Sequence, residues 1–332
     1  MECGQWKEKD WDMLISTIRL GNCILMLGPG ASVEHVDGQF RPLTEILANE
    51  LAGAIPPEDL TAWDIDPFNL VQVAQYYDIK KMKPALQVKA ERFYLDRQEQ
   101  SSDLHHDLAA LPFALTILST PDSMFFNALK AAGKAPVNQS YLFRGNRSNP
   151  SLTGTVEKPL LFYLYGTIDD PESVVLSEDD FLDFIVATMV KNPLPANILS
   201  QLRLPNKNML FLGFDFRQWY LRMLLRILEI KSKSSPSFAL EQFTPQNPEE
   251  FKRTILFYRE SDYRIQICNM EVSSFVKTLR IRYEELSARY EKRSASGSPQ
   301  ILLPQDASTV FLCHSKKNRD DAEYLRNQLK EA

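Results

Sequence analysis

The chain predicts an open, mostly parallel α/β sheet with helices on both faces, on two recurring observations. Short apolar runs at residues 24–27, 113–118, 159–164 and 209–212 each break abruptly into a polar or glycine-bearing loop. Helical patterns separate these runs, as the crossovers of a parallel sheet require. In such a sheet the ligand crevice lies at the carboxyl ends of the strands. The loops after residues 27, 118, 164 and 212 are therefore expected to converge on one site.

The elements follow in order. Trp11, Leu14, Ile15 and Ile18 share a helical face, with Gly21 as a natural stop. The strand at 24–27 runs into Gly28-Pro29-Gly30-Ala31-Ser32, whose glycines permit a tight turn with backbone N–H groups facing a phosphate. The third glycine of G-x-G-x-x-G is missing, Val33 standing in its place. Pro42 opens a helix of good formers that Pro56-Pro57 ends, residues 68–77 read as another, and a long amphipathic stretch runs from 84 to about 108. The strand at 113–118 leads through Ser119-Thr120-Pro121-Asp122-Ser123 into a helix at 124–132. The strand at 159–164 ends in Tyr165-Gly166. Ser177 and the acidic Glu178-Asp179-Asp180 then cap a helix, carboxylates at its positive end, and read as a solvated helix start in preference to a metal cluster. After 209–212 come Gly213-Phe214-Asp215 and an apolar helix at 219–230. Weaker strands are expected at 254–258 and 265–268, and a helix at 272–286.

From residue 291 the composition turns to charged and Ser/Gly/Pro-rich sequence, read as a linker over 291–307. It separates a domain at 1–290 from a strand, loop and helix at 308–332. Those last residues are too few to bury a core.

Composition narrows the function classes. A net charge of −5 over 332 residues, with no basic stripe, excludes nucleic acid as an implied partner. The polar amino terminus and the lack of a run near 18 apolar residues predict a cytoplasmic protein with no membrane partner. The four scattered cysteines form no C-x-x-C pair, and with only four histidines no metal site is expected. His105 and His106 read as surface residues.

Several motifs in order make residues 10–285 resemble the sirtuin-like domains of bacterial anti-phage defence proteins, built on a Rossmann-like sheet. They are GPGAS at 28–32, HHDLAALPF at 105–113 followed by ILST, KPLLFYLYG at 158–166, DDPESVVLSEDDF at 169–181 and LFLGFDFRQWYLRMLLRIL at 210–228. TVFLCHSKKNRDDAEYLRNQL, residues 309–329, looks like the opening strand, loop and helix of a TIR domain, in which His314 would lie near nucleotide. The catalytic glutamate helix of such a domain has no counterpart in this sequence, so a fragment of a longer sirtuin-like plus TIR protein is expected.

The resemblance implies NAD as ligand or substrate. Gly28, Pro29, Gly30, Ala31, Ser32, Thr120, Gly166, Gly213, Phe214 and Asp215 become cofactor-binding candidates, with Asp215 on a ribose hydroxyl. The family cleaves the nicotinamide–ribose bond with an asparagine in T-T-N-x-D and a histidine before a glycine. Here Pro121 stands for the asparagine and Tyr165 for the histidine. Proline offers no side-chain hydrogen bond, and an unperturbed tyrosine titrates near pH 10. A catalytically degenerate module is therefore favoured, binding NAD or an ADP-ribose derivative or mediating assembly, with hydrolysis by the TIR domain of the longer chain. One alternative makes this domain itself the NAD hydrolase, with Asp122 or Ser123 substituting and Tyr165 beside them. Another is a non-enzymatic scaffold. A homo-oligomer and a phage-derived trigger protein are the expected partners. Deacetylation is least expected, because the paired C-x-x-C zinc module is absent.

Overall fold

The structure is a computed structural model, and it describes residues 6–144, 150–228, 236–241, 248–260 and 263–295. The chain divides into two units, Met1–Tyr283 and Glu284–Ala332. The first unit is built on a seven-stranded sheet. Its strands are β1 Cys23–Leu27, β4 Leu115–Leu118, β5 Val137–Ser140, β6 Leu160–Tyr163, β7 Asn208–Leu212, β8 Ser237–Leu240 and β9 Ile265–Cys268. They pair in the order β5-β6-β4-β1-β7-β8-β9, every pair parallel. Leaving β1 the chain moves to β4 on one side, then returns to β7 on the other. That reversal places the topological switch point between β1 and β7. β2 Val33–Val36 and β3 Gln39–Pro42 form a separate antiparallel hairpin.

The helices are α1 Glu8–Arg19, α2 Leu43–Ala52, α3 Pro57–Ala62, α4 Leu70–Lys81, α5 Lys83–Leu95, α6 Asp103–Ala109, α7 Met124–Ala131, α8 Glu178–Val186, α9 Ala196–Arg203, α10 Trp219–Ile227, α11 Pro248–Glu260 and α12 Val272–Ala295. Side chains alternate across each strand. Ile24, Met26, Ile117, Phe162, Met209 and Phe211 accordingly join one core with Phe184, Ile198, Leu225 and Tyr258 from α8 to α11. On the other face Trp6 and Trp11 pack with Phe275 of α12 and Phe238 of β8. α2, α4 and α5 bury a core of their own around Leu47, Val73, Tyr77 and Phe93.

Three expectations are corrected. Residues 254–258 belong to α11: Ile255 and Tyr258 are buried while Leu256 and Phe257 are exposed, a spacing of three that only a helix turns to one side. The stretch 84–108 is two helices, α5 and α6, broken over residues 96–102. Residues 291–295 continue α12, whereas 296–307 and the TIR-like 308–332 lie outside the described residues. No helix among the described residues is long and apolar enough to cross a membrane.

α8 is fastened by the acidic run read from the sequence. Ser177 caps it by accepting from Asp180 N–H at 3.2 Å, and Asp180 returns a bond from Ser177 N–H. The Asp180 carboxylate is buried and also holds Lys83 of α5 and Arg144. Burial opposes its charge, but these cations outweigh that and keep its pKa below the usual carboxylate range. Asp180 is thus a structural ion-pair centre: the helix start stands as read, but this carboxylate is buried and paired, against the solvated one expected from the sequence.

Candidate functional site

The loops after β6, β4, β1 and β7 leave the sheet side by side, because ladder bonding continues past the strand ends. Leu164 N–H donates to Leu118 O at 2.9 Å, Ser119 N–H to Leu27 O at 3.0 Å and Gly28 N–H to Leu212 O at 2.8 Å. Residues 28–32, 119–123, 164–167 and 213–215 therefore border one region at the carboxyl end of the sheet.

The glycine loop folds as a single 3-10 turn over Pro29–Ala31. Each of its amides is engaged inside the protein. Gly30 N–H donates to Gly213 O at 2.9 Å, Ala31 N–H to Gly28 O at 3.0 Å and Ser32 N–H to Pro29 O at 3.2 Å, while Pro29 has none to give. The glycines serve a backbone-to-backbone approach. A Cβ on Gly28 would lie 2.5 Å from Gly213 O, and one on Gly213, whose φ is +75°, would overlap Ala31 N. In this arrangement the turn presents no spare N–H to a phosphate.

Asp215 is similarly occupied. Its Oδ1 accepts from Arg217 N–H at 2.9 Å and Arg217 Nε at 2.8 Å, and its Oδ2 from Gln218 Nε2 at 2.9 Å. Burial raises its proton affinity, but the Arg217 and Gln218 bonds overcome this and hold the pKa low. Beside it lies a residue that sequence reasoning passed over. Glu241, just beyond β8, is buried, accepts from Phe216 N–H and stands 3.5 Å from Arg217 Nε. Burial foremost, with Asp215 adding, pushes its pKa up to about 8 against the Phe216 N–H and Arg217. Glu241 thus ties the loop after β7 to the end of β8. Phe214 is buried and stacks edge-on against Phe211.

Tyr165 is a half-buried aromatic packed against the core. Its ring meets Phe181 and Phe184 edge-on, at centroid separations of 6.0 and 5.1 Å, and its buried hydroxyl has no hydrogen-bond partner among the described residues. Burial, reinforced by Tyr220, drives its pKa far above the ordinary tyrosine value. It cannot take a proton at neutral pH. Gly166 beside it has φ +80°, and Thr120 is buried.

Asp122 lies in a different setting. It is 5% exposed; Oδ1 accepts from Met124 N–H, the first amide of α7, at 3.0 Å, while Oδ2 is buried without a partner among the described residues. Its charge acts on Tyr94, Tyr163 and His105, and Tyr94 Oη and His105 Nε2 are likewise buried and unpartnered. His105 corrects the expectation that it lies at the surface. It is 1% exposed, with Nδ1 on Ser102 Oγ at 2.8 Å, and only His106 faces outward. Burial pulls the His105 pKa down to about 4, against the attraction of Asp122 and with help from His106. The imidazole is therefore neutral at pH 7. The signal available in the sequence was the apolar spacing of Leu104 and Leu108 on either side of His105, which puts it near the inner face of α6.

The candidates thus divide. The loops are brought together, but Asp215 and the glycine-loop amides are committed to protein partners, Tyr165 packs against the core with its hydroxyl buried, and Asp122 is buried. The residues do not fit a dinucleotide phosphate without rearrangement of the loop at 28–32. Among the described residues, no group of three or more His, Cys, Asp or Glu is placed to hold a metal ion.

No curated protein matches the chain. The family described as SIR2-like domain matches residues 122–268, from the loop after β4 to the end of β9 and less than half of the chain. Its span covers Asp122, Tyr165, Gly166 and Gly213–Asp215 and leaves out the glycine loop. Over that span, and in its parallel sheet with helices on both faces, the chain is similar to SIR2-like, NAD-related domains.

Proposed function

We propose that this chain is a catalytically silent sirtuin-like module of a bacterial anti-phage protein of the NAD-consuming type. Its part is to assemble the protein, while NAD hydrolysis belongs to the TIR domain of a longer chain. The observation that carries the reading is the loss of both groups at the bond to be cleaved. Position 121 has no side-chain amide, and position 165 holds a phenol packed on Phe181 and Phe184, its hydroxyl buried, that is unable to act as a base near pH 7. The engaged amides at 28–32 favour an assembly role over dinucleotide capture.

A second reading keeps a ligand. Four loops border one region at the switch point, and the SIR2 likeness supports NAD or an ADP-ribose derivative there. Asp122 Oδ2, buried and unpartnered, is the group with capacity for a new hydrogen bond.

Both are tested on the 332-residue chain. Nicotinamide release from NAD is expected to be absent, and to appear in a TIR-containing longer chain exposed to its phage trigger. Release by the 332-residue chain, lost in Gly30→Asp, would make it the hydrolase and overturn the proposal. An ADP-ribose-dependent rise in melting temperature, abolished by Gly30→Asp, selects the second reading; no rise selects assembly.

A further inference from the structure

The outer face of α8 carries large apolar side chains that no described residue covers. Its inner face is spent on the core through Phe184 and Ile185. On the outside Leu182, Val186, Met189 and Val190 are 53%, 49%, 62% and 77% exposed. The helix runs on past Val186 through a π turn over Ala187–Lys191, closed by Asn192 N–H donating to Ala187 O at 2.7 Å. Such turns are rare and are frequent at functional sites. The wider turn brings Val190 back under Val186, as the α-turn before it sets Val186 under Leu182. Exposed apolar residues scattered singly are ordinary, whereas a contiguous stripe rimmed by charge marks an interaction surface.

The rim says what fits there. Exposed Glu178, Asp179 and Asp183 stand towards the amino-terminal end of the stripe and exposed Lys191 at its carboxyl-terminal end. The side chains of Asp183 and Lys191 make no ion pair among the described residues. Each follows a stripe residue by one position, Leu182 and Val190, so both flank the stripe on the same side. A uniformly acidic or basic partner would suit one end only. A second copy turned about a two-fold axis at Val186 suits both: Leu182 meets the partner's Val190 and Asp183 meets the partner's Lys191, and symmetry makes each contact twice. The surface is also held ready. Gln75 of α4 donates to Asp179 Oδ2 at 2.9 Å and accepts from Asp179 N–H at 3.0 Å, while Lys83 of α5 holds Asp180, so docking has no helix to order.

We propose that α8 and the π turn after it form a two-fold interface with a second copy of this chain, antiparallel across Val186, with Asp183 and Lys191 paired at both ends. The interface rests on the assembly reading for its purpose and gives that role a surface. The test is sedimentation of the 332-residue chain at up to about 100 μM protomer, where a dimer is expected. Val186→Asp, which puts charge at the apolar centre, and Asp183→Lys, which sets lysine against lysine, should each weaken the dimer at least about tenfold. Combining Asp183→Lys with Lys191→Asp in one chain exchanges the charges and should restore it. Circular dichroism confirms that each variant is folded, and the charge exchange decides the matter even if Val186→Asp fails to fold. A monomer throughout that range leaves the stripe to a different protein and overturns the proposal. A dimer unchanged by the single variants moves assembly to another face and overturns it equally, and an exchange that restores nothing overturns the antiparallel pairing. Failure of the silent-module reading is seen separately, as nicotinamide release by the same chain.

Discussion

The two ends of the sheet use the same kinds of residue to opposite effect. At the carboxyl end the turn after β1 and the loop after β7 lock backbone to backbone, Gly30 N–H on Gly213 O, and the nearby carboxylates Asp215 and Glu241 hold loop amides. At the amino end the chain leaves a cavity lined by Asn197, Gln201 and Lys207, whose loops make no such backbone-to-backbone lock across it among the described residues. Position in a fold tells where a ligand site is customary. Whether polar groups there are free is settled by their partners, and here the customary end is the committed one.

Two glycines with positive φ express the difference most strongly. Gly213→Ala places a Cβ on Ala31 N, whereas Gly21→Ala, at φ +66°, meets open space. The first is expected to destabilise the fold by about 3 kcal/mol, combining backbone strain with a clash that forces the loops apart. The second should cost only about 1 kcal/mol. Urea unfolding of the pair measures both; equal losses would mean that the loops at the carboxyl end are not interlocked.

A pH dependence comes next. His105 has an ordinary pKa of 6.5 and about 4 in the folded chain, so between those values the unfolded chain binds a proton that the native one refuses. Stability contributed above pH 6.5 is therefore lost as pH falls towards 4, by about 3 kcal/mol. The carboxylates Asp180 and Asp215, held below their ordinary range, lose their share at lower pH still. His105→Leu should flatten the stability profile between pH 6.5 and 4 and leave the steeper acid limb in place. An unchanged slope there would remove His105 from the buried cluster around Asp122.

The smallest effect is expected at Tyr165. Its hydroxyl makes no hydrogen bond among the described residues, so Tyr165→Phe should change stability by less than about 0.5 kcal/mol in either direction. A loss above about 1 kcal/mol by thermal unfolding would point to a partner for that hydroxyl and reopen its chemical role.

The sheet was legible where burial is complete on both faces. β1, β4, β6 and β7 are fully buried and read as apolar runs, broken by Thr116 inside β4 and preceded by Asn208 at the start of β7. β5, Val-Asn-Gln-Ser at the sheet edge, carries mostly polar residues, and β8 follows a Lys- and Ser-rich stretch, so neither declares itself. Residues 254–258 misled because a run of branched and aromatic residues suits a strand as well as a helix until its exposure pattern is known. The site loops were placed by position alone. Their commitment was illegible because the acceptor for Gly30 N–H lies at Gly213, far along the chain. Glu241 escaped because the strand that delivers it went unread, and His105 because its burial depends on α7, whose Phe125 packs near it.

Hydrogen exchange at the amides of Gly30 and Ala31, with and without NAD, tests the interlocked carboxyl end most directly. Both amides should be protected at close to the level of the central strands, and NAD should leave that protection unchanged. Fast exchange that slows on adding NAD would instead mean that the turn is open and receives the dinucleotide, and that the loops are not committed to one another.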